Sequence, residues 1–229
     1  MSKAKLAVLI VAAILILDQI TKFWIKLNMY PGQEYHILGD WFRIHFLENN
    51  GMAFGFSFGG EFGKLALSIF RIIAVGFIAY YIHLLSKRQV KTSLIISISM
   101  ICAGAAGNIF DSAFYGLIFS EYQNYGEIAK LFPDGAGSAS FLHGRVVDML
   151  YFPLIDIYIP ETFPFWSGEH FVFFRPVFNI ADSSITLGVA SILIFHRDFL
   201  ATDFLPSSTE KTNSQPVEET PVVEEEKHE

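Results

Sequence analysis

The stretch Leu6-Ala7-Val8-Leu9-Ile10-Val11-Ala12-Ala13-Ile14-Leu15-Ile16-Leu17-Asp18-Gln19-Ile20-Thr21-Lys22-Phe23-Trp24 sets the class of fold. Leu6 to Leu17 is unbroken hydrocarbon, and the run continues past two charged residues to about residue 27. A helix that crosses a bilayer needs roughly 20 mostly apolar residues, so about 6–27 predicts a spanning helix. Lys3, Lys5 and the apolar run also fit a cleaved signal peptide. No small-x-small site follows Leu17, however, and the helical pattern carries on through Lys22. Asp18 and Lys22 stand four apart with the acid first, the favourable order on a helix. They read either as an ion pair that neutralises two costly groups or as a pair that orients a site from its edge.

Three more apolar segments follow, at about 65–85, 93–119 and 177–199. The chain of 229 residues is 52% hydrophobic and only 17% charged, where soluble domains average about 25% charged. The expected fold class is therefore a membrane protein, mainly α, with four transmembrane helices. Lys and Arg in short loops set orientation. Lys3 and Lys5, then Lys87, Arg88 and Lys91, then Arg197 all fall on one side if four helices cross. Both termini then lie in the cytoplasm, and the connections at about 28–64 and 120–176 lie outside.

The net charge of −7 is mostly local, because residues 206–229 carry seven Glu against two Lys. That Ser-, Thr-, Pro- and Glu-rich tail is expected to be disordered, which leaves 1–205 as the membrane domain. The body has no basic surface suited to nucleic acid. Cys102 is the one cysteine; it excludes an internal disulfide and reads as an inert packing residue. The seven His show no metal-ligand spacing, so neither metal nor cofactor is expected.

In the outer connections, 35–58 has β-like composition broken by Gly39-Asp40 and Asn49-Asn50-Gly51, and 58–64, with three Gly, reads as a hinge. Residues 120–143 read as a loop. Residues 151–176 mix Pro with aromatics, including Tyr151, Phe152, Phe163, Phe165 and Trp166, a composition suited to the headgroup region.

Five polar residues lie in or beside hydrocarbon, where each costs free energy unless it is paired or at work. Asn108 and Asp111 are three apart in the small-residue run Gly104-Ala105-Ala106-Gly107-Asn108-Ile109-Phe110-Asp111. The small residues also suit close helix packing. Asp18 is the third. Asp148 sits in Val146-Val147-Asp148-Met149-Leu150, and Asp182 in Phe178-Asn179-Ile180-Ala181-Asp182-Ser183-Ser184. Asp148 could be a loop acid beside Arg145, and Asp182 an N-cap. Brought together, the two could share a proton, which is acid/base hydrolase chemistry. Asn49-Asn50-Gly51 could be a turn and nothing more.

In order along the chain, Asp18-Gln19-Ile20-Thr21-Lys22, Asn49-Asn50-Gly51-Met52-Ala53-Phe54, Ala103-Gly104-Ala105-Ala106-Gly107-Asn108-Ile109-Phe110-Asp111-Ser112, Val146-Val147-Asp148 and Phe178-Asn179-Ile180-Ala181-Asp182 resemble the five motif blocks of the signal peptidase II family. The resemblance implies four membrane helices, a small β-rich periplasmic cradle after the first, and extended periplasmic loops. It implies an aspartic endopeptidase of the bacterial inner membrane that frees diacylglyceryl-prolipoproteins of their signal peptides, cutting before the lipidated cysteine. It further implies a site near the periplasmic face, contact with membrane lipid, and inhibition by globomycin-like cyclic peptides. Asp148 and Asp182 correspond to the catalytic pair. Asp18, Lys22, Asn49, Gly51, Asn108, Asp111, Asn179 and Ala181 correspond to supporting or substrate-contacting positions.

The chain departs from the family pattern at Ala103, where Gly is usual, and at Ser112, where Arg is usual. Arg145 or Arg175 is the expected substitute for that Arg. The loops 113–143 and 151–176 are longer than usual. Two other classes fit membrane aspartates and an acidic tail: a proton-coupled transporter or channel, and a non-catalytic adaptor. Four helices without repeated halves are few for a transporter.

Overall fold

A computed structural model describes residues 1–51, 60–162 and 168–199. Met52-Ala53-Phe54 of the second motif, Phe58 and Gly59 of the expected hinge, Phe163, Phe165, Trp166 and the acidic tail lie outside the described residues, while 60–64, the rest of that stretch, are helical and not a hinge. The chain divides into two compact units, Met1–Phe195 and His196–Glu229. In the second, 197–199 form a helical turn.

Four apolar helices build the first unit: α1 (Lys3–Asn28), α2 (Gly60–Ser86), α3 (Thr92–Phe110) and α4 (Ile180–Phe195). A π-turn, Asp111–Tyr115, and a last α-turn, Gly116–Ile118, prolong α3. Lys3–Asn28, Phe62–Ser86 and Thr92–Ile118 are long and apolar enough to cross a membrane. The 16 residues of α4 are apolar but shorter, about 24 Å at 1.5 Å per residue against a hydrocarbon core of roughly 30 Å. It starts at Ile180 because Val177–Phe178 are taken up as a strand.

The small residues of α3 let α4 come close. A Cβ on Gly104 would collide with the Ala181 carbonyl and come within 2.7 Å of Ile185 Cγ1. On α4, a Cβ on Gly188 would meet the Ser97 carbonyl at 2.7 Å. Where neither partner is more apolar than lipid, such close backbone approach drives helix association. At the other end of the bundle, Lys3 Nζ donates to the carbonyls of Arg88 (3.1 Å) and Val90 (2.7 Å). The start of the chain and the α2–α3 turn thus lie side by side.

Strands β1 (Glu34–Leu38), β2 (Phe42–Asn49), β3 (Val146–Tyr151) and β6 (Val177–Phe178) form one antiparallel sheet in the order β1-β2-β3-β6. The turn at Gly39-Asp40 joins the first two, and a register shift between Ile44 and Leu47 bends β2 against β3. The sheet covers the ends of α1 and α3 through a buried cluster of Ile25, Met29, Phe46, Tyr115, Phe119, Ala129, Val147 and Met149. Residues 120–143 are irregular apart from one bridge between Phe119 and Leu131. Within 151–176 the chain makes a separate hairpin, β4 (Ile155–Tyr158) with β5 (His170–Phe173). Arg43 Nη2 ties it to the sheet through Asp156 Oδ2 at 2.7 Å.

Candidate active site

Val147 and Met149 point into the cluster beneath the sheet, so the alternation of a strand sends Asp148 to the other face. There it meets the first turn of α4. Asn179 caps that helix and Asp182 is three residues on. Asn179 Oδ1 accepts from the Asp182 backbone N–H at 2.9 Å, and Asp182 Oδ2 accepts from the Asn179 backbone N–H at 3.4 Å. This is a capping box with Asn and Asp in place of Ser and Glu. The N-cap is thus Asn179 and not Asp182, the cap that the sequence allowed; Asp182 closes the box from the first turn, and its Oδ1 accepts from Asn108 Nδ2 at 2.8 Å.

Asn179 joins the two acids. Its Nδ2 donates to Asp148 Oδ1 at 2.7 Å, while its backbone N–H and Oδ1 hold Asp182. Asn49, at the end of β2, donates from Nδ2 to the other Asp148 oxygen. Asn49 Oδ1 accepts from the Gly51 backbone N–H at 2.5 Å, an Asx turn closed by Gly51 at φ +82°. The turn read at Asn49-Asn50-Gly51 is therefore present, and it aims an amide at Asp148.

The Asp148 carboxyl is pushed up to about 7, first by burial and then by the charge of Asp182. Hydrogen bonds from Asn179 and Asn49 and the charge of Lys22 act in the opposite direction and are outweighed. Asp148 thus gives up its proton only as the pH nears neutrality.

Beneath the pair lies a fully buried charge cluster. Lys22 Nζ reaches Asp18 Oδ2 at 2.9 Å, Asp111 Oδ2 at 2.7 Å and Asn108 Oδ1 at 3.1 Å. Asp18 Oδ1 accepts from the Ala181 backbone N–H at 3.0 Å, at the start of α4. Asp111 Oδ2 accepts from the Val147 backbone N–H at 3.4 Å. Gln19 Nε2 bonds Asp111 Oδ1 at 2.9 Å, and Tyr115 donates to Gln19 Oε1 at 3.0 Å. Lys22, Asp18 and Asp111 therefore orient β3 and α4 from below, and all three are sealed from solvent. Ala181, itself buried, packs against Gly104 and Gly107.

All ten residues singled out from the sequence meet in this one region. Ser112 lies buried with its Oγ on the Asn108 carbonyl at 3.0 Å. Neither expected substitute for the family Arg is seen at the pair. Arg145 reaches Glu48 at 3.6 Å, and Arg175 lines a depression on the β4–β5 hairpin. What sequence reading passed over is the inner edge of α2. Lys64 Nζ donates to Asn50 Oδ1 (3.1 Å) and to the His143 carbonyl (2.6 Å). Ser68 Oγ donates to the Leu142 carbonyl at 3.1 Å, and Arg71 Nη2 donates to the Gly51 carbonyl. The signal was available: polar residues at i, i+4 and i+7 in an apolar helix. Among the described residues, no three His, Cys, Asp or Glu side chains are grouped to hold a metal ion.

A family model described as signal peptidase (SPase) II matches residues 10–197. A lipoprotein signal peptidase of Porphyromonas gingivalis is 48% identical over 193 residues, 84% of this chain and 83% of its own. That of Amoebophilus asiaticus is 40% identical over 185 residues, 80% and 73% of the two chains. Two solved bacterial membrane enzymes share the fold. One is 22% identical and covers 90% of this chain and 93% of its own; the other is 25% identical and covers 83% and 91%; both have a TM-score of 0.53. None of these relatives supports a transporter or channel.

Proposed function

The chain belongs to the signal peptidase II family, and on that footing we propose that it removes signal peptides from prolipoproteins with Asp148 and Asp182 as an aspartic catalytic pair. The substrate is a precursor whose cysteine carries diacylglyceryl, and the cut falls before that cysteine. The observation that carries the reading is Asn179, which holds both acids at once, above a charge cluster that fixes their backbones.

The chemistry needs no covalent intermediate. Asp182, at the N-terminus of α4 where negative charge is favoured, takes a proton from water as the water oxygen attacks the scissile carbonyl carbon. Asp148 gives its proton to the carbonyl oxygen, so a neutral diol forms. Asp182 then passes its proton to the amide nitrogen and the C–N bond breaks. A diol hydroxyl returns a proton to Asp148 as the carboxylic acid product forms. Two neighbouring acids share one proton because both cannot ionise cheaply, so the pair titrates as a unit.

The enzyme lies in the bacterial inner membrane with both termini cytoplasmic and the pair near the periplasmic face. Lys3, Lys87, Arg88 and Lys91 gather at the end of the bundle away from the sheet, which supports that orientation. Acyl chains of the substrate stay in lipid while water reaches the pair, and globomycin-like cyclic peptides compete for the same cleft. The test is incubation of the purified protein with a diacylglyceryl-modified precursor and mass analysis of the products. A cut directly before the modified cysteine is expected. A cut elsewhere, or equal processing of the unmodified precursor, overturns the assignment of substrate.

A further inference from the structure

A lipid-facing helix has one side on which to place a guanidinium. On α2, Phe70, Ile72, Ile73 and Phe77 are exposed, whereas Arg71 turns inward to the Gly51 carbonyl. Charged residues inside a membrane segment are costly and mark function by default. A chain of hydrogen bonds links Arg71 to the carboxyl pair. Gly51 closes the Asx turn of Asn49, and Asn49 in turn holds Asp148. Contact at Gly51 is close: a Cβ there would sit 2.5 Å from Arg71 Nη1, on a backbone already at φ +82°.

The other charges around the pair are engaged elsewhere. From α1, Lys22 lies between Asp18 and Asp111, the latter from α3. Lys26 of α1 and Arg145 beside β3 both pair with Glu48 of β2. Lys64, a neighbour on α2, donates to Asn50 and His143. Arg71 has one hydrogen bond among the described residues, and its planar fork carries five N–H donors.

We propose that Arg71 is a positioning residue for the carboxyl pair: it fixes the Asn49–Gly51 turn, so that the Asn49 amide stays on Asp148. This rests on the catalytic reading of Asp148 and Asp182 given above.

The test uses the full chain in detergent or bilayers with a diacylglyceryl-modified peptide precursor, and reads kcat/KM in a cycle with Asn49→Ala, which removes the link to Asp148. Arg71→Gln is expected to lower kcat/KM on the order of 10²-fold, and Arg71→Gln added to Asn49→Ala is expected to lower it little further. A purely structural role gives losses that multiply in the double variant. Multiplying losses, or an unchanged rate in Arg71→Gln, overturns the proposal. If Arg71→Gln does not fold, Arg71→Lys, which loses the fork, takes its place in the same cycle with the same two outcomes. Failure of the catalytic reading shows separately, as wild-type rates in Asp148→Asn.

Discussion

Asp148→Asn is expected to make the protein more stable at neutral pH while removing its activity. The Asp148 carboxyl is raised from its usual 3.8 to about 7. At about 1.4 kcal/mol per pKa unit, that corresponds to roughly 4 kcal/mol, and the side chain is buried enough for little of it to be screened. The folded protein binds more protons than the unfolded chain between about pH 4 and 7, so this group subtracts stability as pH rises through that window and levels off above it. Asn does not titrate. Both carboxyl oxygens accept from amide N–H groups, of Asn179 and Asn49, and the new side-chain NH2 leaves one of those donors unpaired, at about 1–3 kcal/mol. The variant is therefore less stable than the parent at pH 4 and more stable by roughly 1–3 kcal/mol at pH 8. Thermal unfolding in detergent across pH 4–8 checks this. At about 2–4 °C per kcal/mol for a chain of this size, the difference in Tm should swing by about 10 °C. A difference that stays constant with pH would refute the reasoning.

Three further outcomes follow from the packing and the charges. Lys22→Met leaves Asp18 and Asp111 buried without their cation and should cost about 3–5 kcal/mol; chemical unfolding in detergent measures it, and adding Asp18→Asn and Asp111→Asn should recover part of the loss. Gly104→Ala drives a methyl into the Ala181 backbone and should cost about 1–3 kcal/mol or more as α3 and α4 separate, read as a lower Tm with reduced activity. Deleting 206–229 should leave cleavage of a lipidated precursor unchanged, whereas a non-catalytic adaptor acting through that tail would lose its function.

The membrane class was legible because hydrocarbon runs of spanning length have few other uses. The cradle strands β1 and β2 were legible from composition broken at Gly39-Asp40. That the ten residues would meet in one region was legible because a polar side chain in an apolar segment needs a partner, and their ordered spacing matched one family. The start of α4 was blurred for a physical reason: Val177–Phe178 are as apolar as the helix that follows, and only pairing with β3 makes them a strand. The β4–β5 hairpin hid in a Pro- and aromatic-rich stretch whose composition says interface before it says strand. The π-turn at Asp111–Tyr115 has no sequence signature, since it arises where the end of α3 meets the chain at Gly144, whose N–H donates to the Ser112 carbonyl at 2.8 Å. Arg71 escaped because a single charge in a long apolar helix lowers its hydropathy little, although its cost in lipid should draw the eye.

The central claim is that the two acids act as one unit on one water molecule. Its most direct measurement is the cleavage rate of a diacylglyceryl-modified precursor by Asp148→Asn, Asp182→Asn and the double variant, each verified as folded. Members of a catalytic unit lose activity non-additively. Each single variant should fall by about 10³-fold or more, and the double variant should fall little further. A single variant that cuts at near the parent rate, or single losses that multiply in the double, would contradict the account.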